Sequence, residues 1–398
     1  MSEHLLTLNA GSASIKFALF AADTDPAALP VAQWVGQADG LGPGLNARLH
    51  VRDAQGRLLH DVPLVGAKAT HQGAWSALLD WREQRAAGLH IAAVGHRIVH
   101  GGVRFTQPVR VDAAVLDQLA ALEPLAPLHQ PHNVAGVRAA MLAFAGVPQV
   151  ACFDTAFHAT QPDVNRRFAV PRALHDEGVR RYGFHGLSYE SIVAQLGGLD
   201  ARLANGRIVV AHLGNGASMC AIHAGRSVAT TMTFSPLDGL TMGTRCGHID
   251  AAVVLYLMQA RGMTAEQVTT LLFRESGLLG LSGLSSDMRE LEASTLPAAA
   301  QAVDHFVEQV VQHLGSLAAA LRGIDAIVFT GGIGENAAAL RQRILVDAAW
   351  LGVRPAADQA TGPRLTDSDS PVAAWVLKTD EEAVIARHTS RVLRAAAN

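Results

Sequence analysis

Two stretches of this chain, LNAGSAS at residues 8–14 and HLGNGAS at residues 212–218, share one design: an apolar strand, a tight Gly/Asn/Ser turn, and a second apolar strand leading out. The first joins LLTL to IKFALF, and the second joins RIVVAHLG to ASMCAIHAG. Each unit starts a sheet from a hairpin, one near the start of each half of the chain. The pair reads either as a short internal repeat or as two unrelated hairpins whose turns need the same residue types; the residues leave both open. Further alternating runs fall at 33–39, 48–53 and 58–64, and apolar strands ending in polar loops at 91–102 and 147–157. Helix-like spacing appears at 74–86, 112–122, 132–144 and 297–322, and again in the C-terminal TDEEAVIARHTSRVLRAAA. Strands and helices mixed in this order predict an α/β architecture.

A chain of 398 residues, 49% of them hydrophobic and 17% charged, can bury the cores of two domains. No polar low-complexity tract argues for disorder, and no basic run offers a phosphate-neutralising face, so no nucleic-acid partner is expected. The N-terminus lacks a basic segment followed by an apolar core, and no apolar run approaches the ~20 residues that span a bilayer. Three cysteines, Cys152, Cys220 and Cys246, are too few for a disulfide framework. The expectation is a cytoplasmic protein without a membrane partner. The cations are 29 arginines and only three lysines, Lys16, Lys68 and Lys378. Arginine therefore fills ordinary positions here, and each lysine stands out.

NAGSAS, HLGNGAS and FTGGIGEN each follow an apolar strand and would present backbone N–H groups to a phosphate. Three such turns, with Lys16 after the first, favour a nucleotide. Gly332 and Gly334 also open a G-x-G-x-x-A pattern, but no acidic residue closes the next strand as a dinucleotide fold requires. No GxxxxGK[ST] occurs, which excludes a P-loop, and no His/Cys spacing fits zinc. Arg97 in GHRIVHGG and Arg245 in GLTMGTRCGHID lie among glycines with little other charge, where a guanidinium fork suits carboxylate or phosphoryl oxygens. His185 in RRYGFHGLS could donate to an oxyanion. Asp154 ends an apolar strand, a common place for a functional carboxylate in α/β folds. Glu381 and Glu382 open the last helix, where Glu382 reads as a helix-capping acid.

LNAGSASIK, GHRIVHGG, PLAPLHQPHN, CFDTAFH, YGFHGLS, HLGNGAS, PLDGLTMGTR, SSDMREL, TGGIGEN and TDEEAVIA follow one another as in the acetate kinases, which the chain resembles along essentially its whole length. The resemblance implies an actin-like superfold, shared with sugar kinases and heat-shock ATPases, in which two related domains flank an active-site cleft. It implies an N-terminal domain of residues 1–155 closed by 382–398, and a nucleotide-binding and dimerisation domain of residues 156–381. It also implies a homodimer that transfers a phosphoryl group between ATP and acetate, with ADP and acetyl phosphate as products and Mg²⁺ (or Mn²⁺) as cofactor. By motif, Asn9 and Glu381 would position the metal-bound nucleotide, and Ser12, Ser14 and Lys16 would line the phosphate path. Arg97, Arg245, His185 and Asp154 would form the catalytic group. Val99, Leu128, Phe184 and Pro236 would make, with Arg97, the acetate pocket. ATP would lie against His212, Leu213, Gly214, Asn215 and Gly216, against Asp287, Met288 and Arg289, and against Gly331, Gly332, Ile333, Gly334, Glu335 and Asn336.

The chain departs from the family pattern at Ala13, where a serine is usual, and at Thr233, where glycine is common. After Arg245 it reads Gly247-His248-Ile249-Asp250-Ala251, where the family commonly has Gly-Asp-Leu/Ile-Asp-Pro. Propionate kinase is the alternative within the family; Val99, rather than a smaller residue, favours acetate. Chaperone ATPases and filament proteins share the superfold, and a dehydrogenase is the reading left by G-x-G-x-x-A.

Overall fold

A computed structural model describes residues 3–11, 14–23, 25, 28–42, 46–85, 89–356 and 362–397. It divides into two units, residues 1–157 with 380–398, and residues 158–379.

The first unit holds an eight-stranded sheet of β1 (Glu3–Ala10), β2 (Ile15–Ala21), β3 (Trp34–Asp39), β4 (Arg48–Asp53), β5 (Leu58–Pro63), β6 (His90–Ile98), β7 (Val109–Arg110) and β8 (Gln149–Phe153). Their order is β5-β4-β3-β2-β1-β6-β8-β7. The β1–β5 run is antiparallel throughout, while β6 pairs parallel with β1 and with β8. The second unit holds β9 (Arg207–His212), β10 (Ser218–His223), β11 (Arg226–Thr230), β12 (Ala326–Thr330) and β13 (Ala373–Val376), in the order β11-β10-β9-β12-β13. Here too the first three strands are antiparallel, and β12 pairs parallel with β9 and with β13. The segment β3-β2-β1-β6-β8 therefore has the same order and sense as the whole second sheet. The two hairpins of the sequence are the equivalent first steps of a duplicated topology, which decides for the internal repeat.

Strands central to each sheet carry near-continuous apolar runs because both faces are covered. β8 and β12 are buried at every residue. The C-terminal helix Glu381–Ala397 packs on β1, β6 and β8. Gly95 of β6 makes that approach possible, since a Cβ there would meet Thr389 Oγ1 at 2.2 Å and Ile385 Cγ2 at 2.7 Å. In the second unit the helix Pro297–Leu321 covers β9, β10 and β11 with a stripe that includes Val303, Phe306, Val310, Leu314 and Leu317. GGIGEN, expected as a turn, is a short helix, Gly331–Asn336. The turn itself is confined to Gly331, whose φ of +80° glycine tolerates.

Candidate active site

Parallel strands gather their C-terminal ends on one edge of a sheet, and polar residues placed there meet. In the first unit Asn9 lies near the end of β1, Arg97 near the end of β6, and Asp154 directly after β8. Arg97 donates from Nε to both Asp154 carboxylate oxygens at 3.1 Å and from Nη2 to Oδ2 at 2.6 Å. Its Nη1 donates to Asn9 Oδ1 at 3.2 Å, and Glu381 Oε2 lies 3.7 Å from Nε. Asp154 is 1% exposed and the Arg97 side chain 20%. Burial works against the Arg97 charge, but the Asp154 and Glu381 carboxylates outweigh it and hold the guanidinium protonated. Burial pushes the Asp154 carboxyl up to about 6; Arg97 opposes that shift and Glu381 adds to it, so the group is ionised at neutral pH. Burial and the Glu381 charge also push the Glu382 carboxyl up, while Lys16 draws it down. Lys16 is exposed and sits opposite Asn9 in the β1–β2 register, so both side chains share a face.

Asn133, on the helix Gln130–Ala143, ties this edge together. It donates from Nδ2 to the Ala10 carbonyl and accepts at Oδ1 from the Val99 N–H, both at 2.9 Å. Val99 is buried and Leu128 half-buried, both in this unit. Ser14 closes the first turn by accepting at its carbonyl from Gly11 N–H at 2.8 Å. Ser12 and Ala13 lie outside the described residues.

In the second unit the two glycine turns are knitted through Leu213. Its N–H donates to the Thr330 carbonyl at 2.8 Å, and its carbonyl accepts from Ile333 and Gly334 at 2.8 and 3.0 Å. A Cβ at Gly331 would meet that carbonyl at 2.7 Å. Beside the knot lies a cavity of about 740 Å³, within the range of small-molecule sites. Gly214, Asn215, Gly332, Ile333 and Asn336 line one part of it, and Asp287, Met288 and Arg289 another. Asp287 caps its helix by accepting from Arg289 N–H at 2.9 Å and pairs with Arg289 Nη2 at 2.5 Å. His212, Leu213, Gly216, Gly331, Gly334 and Glu335 are not among the lining residues. Glu335 turns inward, where Oε1 accepts from Thr330 Oγ1 at 3.2 Å, Gly331 N–H at 3.1 Å and Thr379 N–H at 3.4 Å.

A second polar group surrounds Gly216. His185 adopts φ +59° at the start of the helix Gly186–Leu199, a left-handed conformation that non-glycine residues adopt at a cost and that concentrates at functional sites. Its ring stacks on His212 at 4.3 Å. Its Nδ1 is hydrogen-bonded to Ser218 Oγ at 2.8 Å, and His212 Nδ1 to Ser188 Oγ at 2.8 Å. A Cβ at Gly216 would lie 3.5 Å from Arg245 Nη1 and 3.7 Å from His185 Nε2, so both donors border the same glycine. Arg245 Nη1 donates to the Pro236 carbonyl at 3.0 Å. Phe184 and Pro236 are buried in this unit. Two of the departures meet on one carboxylate: Thr233 Oγ1 donates to Asp238 Oδ2 at 2.5 Å, and His248 Nδ1 lies 3.5 Å from Asp238 Oδ1.

Sequence reasoning missed Asn133, Ser188, Ser218 and Tyr189, and the lining residues Ser286 and Glu292. Asn133, Ser188, Ser218 and Ser286 sit inside motifs already noticed; Tyr189 is adjacent to one.

A duplicated β-sheet of this order, a guanidinium held at one strand edge and a cavity knitted from glycine turns define a two-domain, actin-like α/β phosphotransferase. The sequence model of the acetokinase family matches residues 4–387, and the chain belongs to that family. It is 50% identical to an acetate kinase of Methylocella silvestris, over 99% of this chain and 98% of that protein. It is also 50% identical to one of Rhodopseudomonas palustris, over 98% and 99%. Among solved structures, a propionate kinase from Francisella tularensis matches with a TM-score of 0.89 at 34% identity, over 98% of this chain and 100% of that one. Porphyromonas gingivalis acetate kinase matches with a TM-score of 0.86 at 34% identity, over the same shares.

Proposed function

We propose that this enzyme transfers the γ-phosphoryl group of ATP to acetate, reversibly, giving acetyl phosphate and ADP by direct in-line displacement. The observation that carries the reading is full-length kinship to acetate kinases with Arg97, Asp154, His185 and Arg245 all present at their motif positions. Acetate is ionised at neutral pH and is already a nucleophile, so the protein's work is to position it and to neutralise charge on the moving group. Arg97, aimed by Asp154 and Asn9, suits the carboxylate of acetate, with Val99 and Leu128 in the same unit as apolar neighbours. Arg245 and His185 Nε2 suit the phosphoryl oxygens, with Phe184 and Pro236 buried beside them. The 740 Å³ cavity suits the nucleotide, with Asp287, Met288 and Arg289 on one side and Gly214, Asn215 and the Gly331–Asn336 segment on the other.

Among the described residues no cluster of three metal-ligating side chains forms a ready cage. Mg²⁺ is commonly held by one or two carboxylates plus substrate phosphates, and the first unit suits that arrangement. Three carboxylates, Asp154, Glu381 and Glu382, face two cations, Arg97 and Lys16, leaving hard oxygen donors and an excess of negative charge. Asn9 and Glu381 are the residues we assign to Mg²⁺ or Mn²⁺. When bound, the ion shields the nucleotide's phosphate charge.

The helix Ala251–Gln259 has no buried residue, and Val253, Leu255, Tyr256 and Met258 are all exposed. An apolar helix wants cover, and we assign this face to a homodimer contact. No helix among the described residues is long and apolar enough to cross a membrane; with three free cysteines, a cytoplasmic setting is the simplest.

Hydroxylamine trapping of acyl phosphate formed from ATP tests the function, comparing acetate, propionate and butyrate. Acetate should give the highest kcat/KM. Equal values for all three would overturn the acetate assignment, since one methylene in a shaped pocket is worth ~1–3 kcal/mol.

A further inference from the structure

The second unit has another cavity, of about 400 Å³, which shares no lining residue with the one assigned to the nucleotide. Its charged walls come from three places. Arg167 and Arg181 lie in the stretch before the helix Gly186–Leu199, Asp238 and His248 flank the loop that carries Arg245, and His313 belongs to the helix Pro297–Leu321. Thr231 and Ser316 add hydroxyl groups.

The arginine side is short of anions. The Arg181 N–H donates to the Arg166 carbonyl at 2.8 Å, which sets Arg166 and Arg167 beside Arg180 and Arg181. Asp163 answers two of the four: it accepts from Arg167 Nε at 2.7 Å and lies 3.8 Å from Arg166 Nη2. Among the described residues, the buried Arg166 Nε and Arg180 Nε have no hydrogen-bond partner, and the half-buried Arg181 guanidinium makes neither a hydrogen bond nor an ion pair. Arg181 lies over the Phe168 ring at 4.6 Å, so one face is stacked while the N–H edges stay available to an oxyanion.

The carboxylate in the wall is already occupied. Asp238 accepts from Gly239 N–H at 2.8 Å and from the Thr233 hydroxyl, and His248 Nδ1 lies 3.5 Å from it. No arginine is within ion-pair distance of Asp238 among the described residues. Thr233 and His248 are both departures from the family pattern, and His248 stands where an aspartate is common, so this chain has one acid fewer at the cavity wall. His313 Nδ1 is hydrogen-bonded to the Gln309 carbonyl at 2.9 Å, which leaves Nε2 as the ring atom for a ligand.

We propose that this cavity is a second binding site, for the phosphate monoester of a small polyhydroxylated molecule. The phosphate dianion matches the guanidinium forks of Arg167 and Arg181. Asp238 repels a second anionic group and accepts hydroxyl protons instead, so the ligand carries its charge at one end and hydroxyls at the other. The volume lies at the small end of small-molecule sites, below what the nucleotide cavity offers. No bond is made or broken there.

Ribose 5-phosphate is the test compound, added to full-length protein saturated with Mg²⁺ and a non-hydrolysable ATP analogue so that the nucleotide cavity is filled. Spectra of ¹⁵N-histidine-labelled protein read His248 and His313, assigned by their loss in His248→Asn and His313→Asn. Both rings should shift together and saturate near ~1 mM, and ribose alone should shift neither. Arg181→Gln should weaken binding about tenfold, the scale of a lost charge-assisted hydrogen bond, and Arg167→Gln serves if Arg181→Gln does not fold. His248→Asp, which returns the acid, should weaken it comparably, read on His313. Malonate or inorganic phosphate binding as tightly as the ester would overturn the ligand class. No shift of either ring by ~20 mM, or unchanged affinity in both the arginine variant and His248→Asp, would overturn the site. Failure of the phosphotransferase reading would appear separately, as absence of acyl phosphate.

Discussion

Replacing Asp154 with asparagine keeps the shape of the side chain and removes the charge that aims Arg97. The wild-type pair is bidentate, with Arg97 Nη2 at 2.6 Å, and Asp154 is buried. In the variant one carboxylate oxygen becomes an NH₂ that faces a guanidinium N–H, so one strong hydrogen bond is replaced by a donor–donor contact. Breaking a buried ion pair from one side costs about 3–5 kcal/mol. Glu381, 3.7 Å from Nε, and the partial exposure of Arg97 offset part of that. The expected loss is therefore about 2–3 kcal/mol, read as a lower urea midpoint at unchanged slope. Arg97 would also lose its aim, and turnover should fall by ~10²-fold, the scale of a lost oxyanion donor. The decisive form is a double-mutant cycle with Arg97→Ala, in stability and in kcat/KM. If the two residues act as one unit, the coupling energy should exceed ~1.5 kcal/mol, well beyond the ~0.5 kcal/mol scatter of independent sites. Additive effects would refute the claim that Asp154 works through Arg97.

Acid should weaken the fold through its buried histidines. Burial holds His96, His100 and His158 down at about 4, against 6.5 for an unhindered imidazole. The unfolded chain therefore takes up protons first, so this stability is fully present above pH 6.5 and is lost as pH falls toward 4, by up to about 3 kcal/mol per histidine. A urea midpoint that stays flat from pH 7 to 4.5 would contradict this. Gly243→Ala should raise the KM for ATP about tenfold, because a Cβ there would meet Asn215 Oδ1 at 1.9 Å and push that side chain into the cavity; steady-state kinetics with an unchanged KM would oppose the assignment of the cavity. Leu255→Glu on the exposed helix should convert a dimer to a monomer in sedimentation, and an unchanged mass would move the interface elsewhere.

The strand framework could be read from the sequence because its signals are local. β4, expected at 48–53, is observed at Arg48–Asp53, and the second hairpin turns at its Gly/Asn run between His212 and Ser218. Equivalence of the hairpins was open in the residues and follows from strand order, which depends on pairings between distant segments. Arg97, Asp154 and His185 stood out by glycine-rich or strand-end context, and the resemblance supplied their roles. What surrounds them was not legible for a physical reason. Asn133 is one more polar helix residue until the fold brings it to Ala10 and Val99. Tyr189 is an ordinary core aromatic until Ser218 arrives from the start of another strand. Glu335, placed by its motif with ATP, spends its carboxylate on Gly331 and Thr379, a partnership no local pattern announces. The helix Ala251–Gln259 has the composition of a core segment, and only the packing reveals that it is bare.

The central claim, attack of an acetate oxygen on the γ-phosphorus, is tested most directly by ³¹P NMR of ATP incubated with ¹⁸O-acetate, Mg²⁺ and the enzyme. Direct transfer predicts acetyl phosphate whose phosphorus carries one ¹⁸O isotope shift, alongside unlabelled ADP. Labelled acetyl adenylate (or the labelled AMP its hydrolysis leaves) with pyrophosphate, the mark of attack on the α-phosphorus, or ADP formed without any acetyl phosphate would contradict it.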